Sequence, residues 1–316
     1  MRRTTSFLLL ALLPGVAFAQ ATTAEIQSED TLADSVTADH FRLYTGDGDA
    51  LTWDDLASRV AGADVILVGE NHNDPVAHHI EFAVYNEALA LDRPASVSME
   101  MFTRDVQGVI DEYLSDLITE KLFLAESRPW KNYDTDYRPF VEAAREAGSP
   151  VIAANAPRRY VNMVSRMGPD ALSELPSDAN RWLAPLPYKQ ASVPYKAEWD
   201  ALMSEAMYGM PQDTTFGEHK VMDTALAAQS LWDATMAFSI AEHLLENPDS
   251  RVVHMVGSFH VKNGTGIPEH LERYRPGTRV LIVVVEPSED PEAFLEEHHG
   301  LGDIVILGDA GLPRSY

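Results

Sequence analysis

The chain of 316 residues has no cysteine and few bases, with 24 Lys and Arg against 49 Asp and Glu. The missing cysteine excludes disulfides, cysteine-bound zinc, iron–sulfur clusters and thiol nucleophiles, and it also excludes the lipid anchor of bacterial lipoproteins. The formal net charge of −25 repels phosphate backbones and anionic lipid, so we expect neither nucleic acid nor a membrane surface as a partner. No internal apolar run is long enough to predict a membrane span.

The N-terminus has the pattern of an export signal. A basic start at Arg2 and Arg3 precedes an apolar run over residues 7–13, and Ala17-Phe18-Ala19 fits a small-x-small cleavage site. This pattern predicts a signal peptide over residues 1–19 and export to the periplasm or the extracellular space, without a lipid anchor. Residues 20–38 are rich in Thr, Ala, Ser and acids, which predicts a flexible leader before a single domain over 39–316.

Short apolar runs alternate with longer helical patterns over the rest of the chain. This alternation predicts an α/β fold, with a mainly parallel sheet flanked by helices. The predicted strands cover residues 64–69, 95–101, 151–154, 251–256, 279–285 and 303–307, and helices are predicted around 75–90, 104–115, 137–147 and 220–245. Residues 168–218 carry many Pro, Tyr, Trp and Met and little strand signal, which predicts a helical insertion or lid.

Polar residues follow several predicted strands at the point where each strand ends. Glu70 and His72 follow the first strand, Glu100 ends the second, and His260 follows the fourth. Ligand sites of open parallel sheets form outside the carboxyl ends of the strands, so we expect these side chains to converge. Taken singly, Glu70 and His72 can be helix caps and His260 an ordinary loop histidine. Glu100 lies in an apolar strand end, where a carboxylate must find a partner or change its pKa, which favours function.

Two imidazoles and one or two carboxylates support three kinds of site. His72, Glu100 and His260 can bind a divalent metal ion and leave a position open for water. The same residues with Glu70 can run general acid–base hydrolysis without a metal. Imidazole and tyrosinate can also ligate haem iron.

Five motifs together resemble one protein family. They occur in this order: Gly69-Glu70-Asn71-His72, Met99-Glu100-Met101-Phe102, Trp130 to Tyr137-Arg138-Pro139, Asn155-Ala156-Pro157-Arg158 and Gly257-Ser258-Phe259-His260. Over roughly residues 40–286 the chain resembles the ChaN-like haem-binding family, within the wider Tiki and erythromycin-esterase-like superfamily.

The resemblance implies a secreted haem-binding protein of iron uptake, acting as a dimer. It also implies a Tyr or His as the ligand of the haem iron, and it leaves several tyrosines open: Tyr133, Tyr137, Tyr160, Tyr188 and Tyr195. Arg158 and Arg159 are the bases best placed for the anionic propionates of haem. By similarity to Tiki-type relatives, His72, Glu100 and His260 instead form a metallopeptidase site, and esterase-like relatives use a comparable set. A third alternative is an inactive binding module.

Overall fold

The computed structural model describes residues 32–206 and 218–316, and its framework is an eight-stranded mixed sheet. The strands are β1 (Phe41–Thr45), β2 (Ala50–Leu51), β3 (Val65–Glu70), β4 (Ala95–Thr103), β5 (Val151–Asn155), β6 (Arg251–Gly257), β7 (Val280–Ser288) and β8 (Ile304–Asp309). The helices are α1 (Trp53–Gly62), α2 (Pro75–Leu89), α3 (Gln107–Leu114), α4 (Glu120–Ser127), α5 (Arg138–Ala147), α6 (Arg158–Met167), α7 (Val193–Ala206), α8 (Glu218–Glu246) and α9 (Ile267–Tyr274).

The strand order is β2-β1-β8-β7-β3-β6-β4-β5. The six strands from β8 to β5 are all parallel, while β1 pairs antiparallel with β8 and β2. This arrangement confirms the predicted α/β fold with a mainly parallel sheet. The strands predicted from the sequence do not include β1 and β2, which are short and lie at the sheet edge.

Helices cover both faces of the parallel strands because alternate strand residues point to opposite sides. On one face, Ile66 and Val68 of β3 pack in a core with α1, α2, α3 and α5. On the other face, Val65 and Leu67 of β3 pack against α8 and α9. All six residues of β3 are buried, which is why residues 65–69 appear in the sequence as an uninterrupted apolar run before Glu70.

The exposed edge of β5 is capped by one side chain. The Gln107 amide donates to the Val151 carbonyl at 2.8 Å, and its carbonyl oxygen accepts from the Ala153 N–H at 2.7 Å. A side-chain amide thus takes the place of a neighbouring strand and blocks edge-to-edge pairing with another chain.

The part of the predicted insertion that the structure describes consists of helix and turns. Residues 169–174 and 177–182 form 3-10 turns, and α7 follows. Leu172, Leu183 and Tyr188 pack against α6 and α8 in a small core of their own. Residues 207–217 of the predicted insertion lie outside the described residues.

The end of the predicted leader packs onto the domain. Residues 32–35 and 38–40 form 3-10 turns, and the Val36 side chain between them is buried in the main core. An apolar anchor therefore fixes residues that their polar composition predicted to be flexible. The predicted signal peptide and residues 20–31 lie outside the described residues. Within the described part of the chain, no helix is long and apolar enough to cross a membrane.

Candidate functional site

The candidate site lies at the carboxyl ends of β3, β6 and β4, which are neighbours in the sheet. Glu70 ends β3 and lies in register with Gly257 at the end of β6. Glu100 belongs to the last part of β4, and His260 lies in the 3-10 turn after β6. The structure therefore places all four predicted residues at the carboxyl ends of neighbouring strands. They are Glu70, Glu100, His260 and His72, which lies in the loop after β3.

Glu100 lies between two imidazoles. Its Oε2 accepts a hydrogen bond from the Gly257 N–H at 2.9 Å, and its Oε1 lies 3.7 Å from His260 Nε2. The His72 ring packs over Gly257, where an added Cβ would lie 3.0 Å from His72 Cε1 and 3.7 Å from Glu100 Oε2. The glycine thus allows His72 to approach the Glu100 carboxylate.

His72 forms a dyad with Glu70. Its Nδ1 lies 2.8 Å from Glu70 Oε1, which also accepts from the Tyr137 hydroxyl at 2.8 Å. Burial opposes a charge on His72, but the carboxylates of Glu70 and Glu100 outweigh burial and raise the pKa of the imidazole. Burial likewise opposes the Glu70 charge, yet its hydrogen bond from His72 and the neighbouring imidazoles lower the pKa of Glu70.

A second dyad joins His260 to Asp233 of α8. The Asp233 carboxylate makes a very short contact with His260 Nδ1, and the Gln229 amide nitrogen lies 3.3 Å from His260 Nε2. Burial alone would lower the pKa of His260, but Asp233 and Glu100 outweigh it and raise the pKa to about 9. The two dyads around Glu100 can hold and transfer protons at the strand ends.

The sequence analysis missed Asp233 and Gln229, although the sequence contains a signal for them. They lie four residues apart on α8, so they share one helix face. Asp233 is fully buried in an otherwise apolar stretch of this helix. A charged residue in such a stretch needs a partner, and His260 supplies it.

A buried layer of polar side chains lies beneath His72. His78 Nε2 is 2.8 Å from Glu70 Oε2, and His78 Nδ1 is 3.7 Å from Asp136 Oδ2. Glu81 is also buried here, and burial together with the nearby Glu70 carboxylate raises the pKa of Glu81 well above its usual range. The sequence analysis did not single out Glu81 or Asp136.

A cavity of about 860 Å³ adjoins the His72 side of the site. Trp130, which lines it, packs edge-on against the His72 ring at 4.8 Å, and Asn132 donates from Nδ2 to the His72 carbonyl at 3.1 Å. Basic side chains are concentrated in the lining, which includes Arg128, Lys131, Arg158 and Arg159 as well as Met101 and Tyr316. The cavity therefore offers an apolar and aromatic surface with a basic rim.

The predicted arginines line the cavity, and the predicted tyrosines do not. Arg158 and Arg159 are both exposed there, and Arg159 pairs with Asp105 and stacks over the Tyr160 ring at 4.5 Å. The Tyr133 ring lies in the main core, packed against aromatic neighbours.

Of the other four candidate tyrosines, Tyr160 is half-buried, and Tyr137, Tyr188 and Tyr195 are buried. Tyr137 donates to Glu70, and Tyr188 donates to the Ala227 carbonyl at 2.7 Å. Tyr195 packs against Phe259 beside the His260 turn. Burial raises the pKa of each of these three phenols, to about 12 for Tyr188, and none of the three lines the cavity.

The chain matches the model of the haem-binding uptake family of the Tiki superfamily, ChaN, over residues 56–271. The protein belongs to this family. The match spans all five motifs and confirms the family predicted from them. A search of curated proteins finds no match.

A solved structure of ChaN from Campylobacter jejuni, described as binding haem cofacially, superposes with a TM-score of 0.66. It is 17% identical to this chain, and the alignment covers 86% of this chain and 98% of the relative, so it establishes a shared fold. The type III effector HopBA1 aligns with a TM-score of 0.42 and 12% identity over 81% of this chain and 92% of its own. A mutant of the erythromycin esterase EreC aligns with a TM-score of 0.42 and 11% identity over 78% and 77%.

The close approach of His72 to Gly257 generates a first prediction. Gly257 has φ −54°, which alanine adopts without strain, so Gly257→Ala adds only a methyl group against the His72 ring. We expect a loss of about 1 kcal/mol in unfolding free energy and a lower His72 pKa, because the ring moves away from Glu100. Urea unfolding and NMR titration measure the two effects. Gly108→Ala on α3 is the control, because the space around Gly108 is open, and it should not change the His72 pKa. An unchanged His72 pKa in Gly257→Ala would contradict the close contact between Gly257 and the His72 ring.

The His260–Asp233 dyad predicts a pH dependence of stability. The folded pKa of about 9 exceeds the ordinary value of 6.5, so protonation of His260 stabilises the fold fully below pH 6.5 and this contribution disappears as pH rises through 9. The unfolding free energies of wild type and Asp233→Asn should therefore differ most at pH 6, by up to about 3 kcal/mol, and least near pH 10. Urea unfolding across this range measures the difference. A difference in unfolding free energy that stays constant with pH would show that Asp233 does not raise the pKa of His260.

Proposed function

We propose that this protein binds haem in the cavity beside His72. The observation that carries the proposal is the concentration of four basic side chains around one aromatic-lined cavity, in a chain whose net charge is −25. The family description and the C. jejuni relative support the same ligand. A dianionic, flat and apolar molecule matches a cavity that is cationic at its rim and apolar at its wall.

The cavity fits haem in size and in charge. A volume of about 860 Å³ lies within the range of small-molecule and cofactor sites. Asp105 pairs with both Arg128 and Arg159, and these ion pairs hold the two guanidiniums at the rim. Arg158 and Lys131 complete the rim, so the propionates have several possible cationic partners.

Two side chains at the cavity are of a kind that ligates iron. The Tyr316 phenol lines the cavity and is 70% exposed, and the His72 imidazole lies behind Trp130 with a third of its side chain exposed. His72 is already bonded to Glu70 at Nδ1 and packs against Gly257 at its other nitrogen. We therefore propose Tyr316 as the iron ligand and His72 as a neighbour that shapes the pocket.

We further propose that the protein is exported and that two copies of it form a dimer around their haems. The signal-peptide pattern of residues 1–19 and the missing cysteine support a protein exported without a lipid anchor. Haems that bind face to face, as described for the C. jejuni relative, need a partner for each exposed face. Two copies of this chain, each holding one haem at its open cavity, would supply it.

The haem proposal predicts a saturable Soret band on titration with hemin. Arg158→Ala combined with Arg159→Ala should weaken binding about 10-fold or more, because two of the four bases at the rim are lost. Tyr316→Phe should shift the visible spectrum, because the phenolate ligand is removed. Light scattering on the saturated sample should show the mass of two chains.

The matched control is Arg166→Ala, which removes an exposed base from the other end of α6 and should bind haem like wild type. An equal loss of haem affinity in Arg166→Ala would show that Arg158 and Arg159 act only through the overall charge of the protein. A non-saturating spectral response of the wild-type chain would refute the haem proposal.

Hydrolysis is a second candidate, favoured by the two dyads around Glu100. A passive haem pocket needs neither a carboxylate held between two imidazoles nor an imidazole whose pKa is about 9. Protonated His260 can serve as a general acid, and Glu100 or His72 can activate a water molecule. The basic rim would then select an anionic ester or peptide.

The hydrolase proposal predicts that Glu100→Gln lowers the rate by about 100-fold or more, because the group between the imidazoles can no longer accept a proton. The measurement is turnover of a panel of anionic ester and peptide substrates by wild type and variant. Glu112→Gln, an exposed acid on α3, is the control. Haem affinity should change little in Glu100→Gln. Equal turnover by both enzymes would exclude catalysis at this carboxylate.

A further inference from the structure

The buried layer beneath His72 contains a carboxyl group without a hydrogen-bond donor. Glu81 is 0% exposed, and no N–H or O–H group donates to its carboxyl oxygens, which face the Glu70 carboxylate. Buried polar side chains are nearly always paired, so an orphaned carboxyl in a native core calls for a bound group that completes it. Glu81 and His78 lie three residues apart on α2 and share the helix face toward Glu70.

Glu70, His78 and Glu81 bring three potential metal-ligand atoms close together. One oxygen of Glu70, one nitrogen of His78 and one oxygen of Glu81 all lie within 4.8 Å of one another. Among the described residues, this is the one trio of His, Asp or Glu that meets this spacing. The trio predicted from the sequence, His72, Glu100 and His260, does not meet it.

We propose that Glu70, His78 and Glu81 form an internal site for one divalent cation of the zinc class. Two carboxylates neutralise a divalent charge, which removes the cost of two buried acids side by side. One imidazole with two carboxylates suits Zn²⁺, whereas Ca²⁺ takes six to eight oxygen ligands. The site differs from the strand-end set because it uses neither Glu100 nor His260.

The surroundings have the second layer of contacts that metal sites use. A metal-bound imidazole normally directs its other nitrogen to a carboxylate, and His78 Nδ1 faces Asp136 Oδ2 at 3.7 Å. Asn132 donates to the same Asp136 oxygen at 2.7 Å and fixes it. Glu70 accepts from His72 and Tyr137 at Oε1, which leaves Oε2 directed at His78.

The competing occupant is a proton that leaves Glu81 neutral. The experiment uses the haem-free full chain, stripped with a chelator and then titrated with Zn²⁺, with metal content and the thermal midpoint as readouts. We expect about one tightly bound zinc ion per chain and a rise in the thermal midpoint. Glu81→Gln should lose the zinc, and Asp136→Asn, which leaves the ligands intact, should bind it about 10- to 100-fold more weakly.

Control variants locate the ion. Glu100→Gln and His260→Ala should retain the zinc, because they change only the strand-end set. Loss of zinc in these variants with retention in Glu81→Gln would overturn the proposal in favour of the strand-end set. If the folded wild-type chain binds no zinc and Glu81→Gln is equally stable, Glu81 is protonated and the zinc proposal is wrong. Since no haem is present, none of these outcomes depends on the haem proposal.

Discussion

The buried Glu70 carboxylate is the interaction on which the site depends. It ends the central strand β3 and bonds to His72 from the following loop, His78 from α2 and Tyr137 from the turn before α5. A buried charge is tolerated only where such partners compensate for its lost hydration. The carboxylate therefore ties three separate segments to the end of the sheet.

This anchoring also positions the cavity wall. Trp130 and Asn132 belong to the segment that Tyr137 fastens to Glu70, and both contact His72. Residues 133–137 form a single π-helical turn, a geometry often found at functional sites. The fold thus couples the shape of the binding cavity to the same carboxylate that orients the imidazole.

Charge is distributed unevenly over this acidic protein. The net negative charge of the protein repels anionic ligands, whereas the rim of the cavity concentrates four basic side chains in one place. Asp105 holds two of the bases in place, so an acid organises the cationic site. The His72–Glu70 dyad adjoins this cavity through the contact of His72 with Trp130. The same framework can therefore support ligand binding or hydrolysis, and the side chains at the cavity decide between them.

The sequence by itself determined the parallel sheet, because buried parallel strands leave uninterrupted apolar runs such as residues 65–69. It also predicted that Glu70, His72, Glu100 and His260 lie close together, because the carboxyl ends of parallel strands meet on one side of the sheet. Only the tertiary structure decided which helix residues face that edge. Glu81 lies within a helix, where a polar residue leaves the same pattern whether it faces solvent or a buried partner. The apolar neighbours of Asp233 on its helix signal that it needs a partner, but they do not say which residue this is. Packing of α2 and α8 on the sheet placed Glu81 beside Glu70 and Asp233 beside His260. Packing likewise buried four of the five tyrosines that local sequence left open as iron ligands.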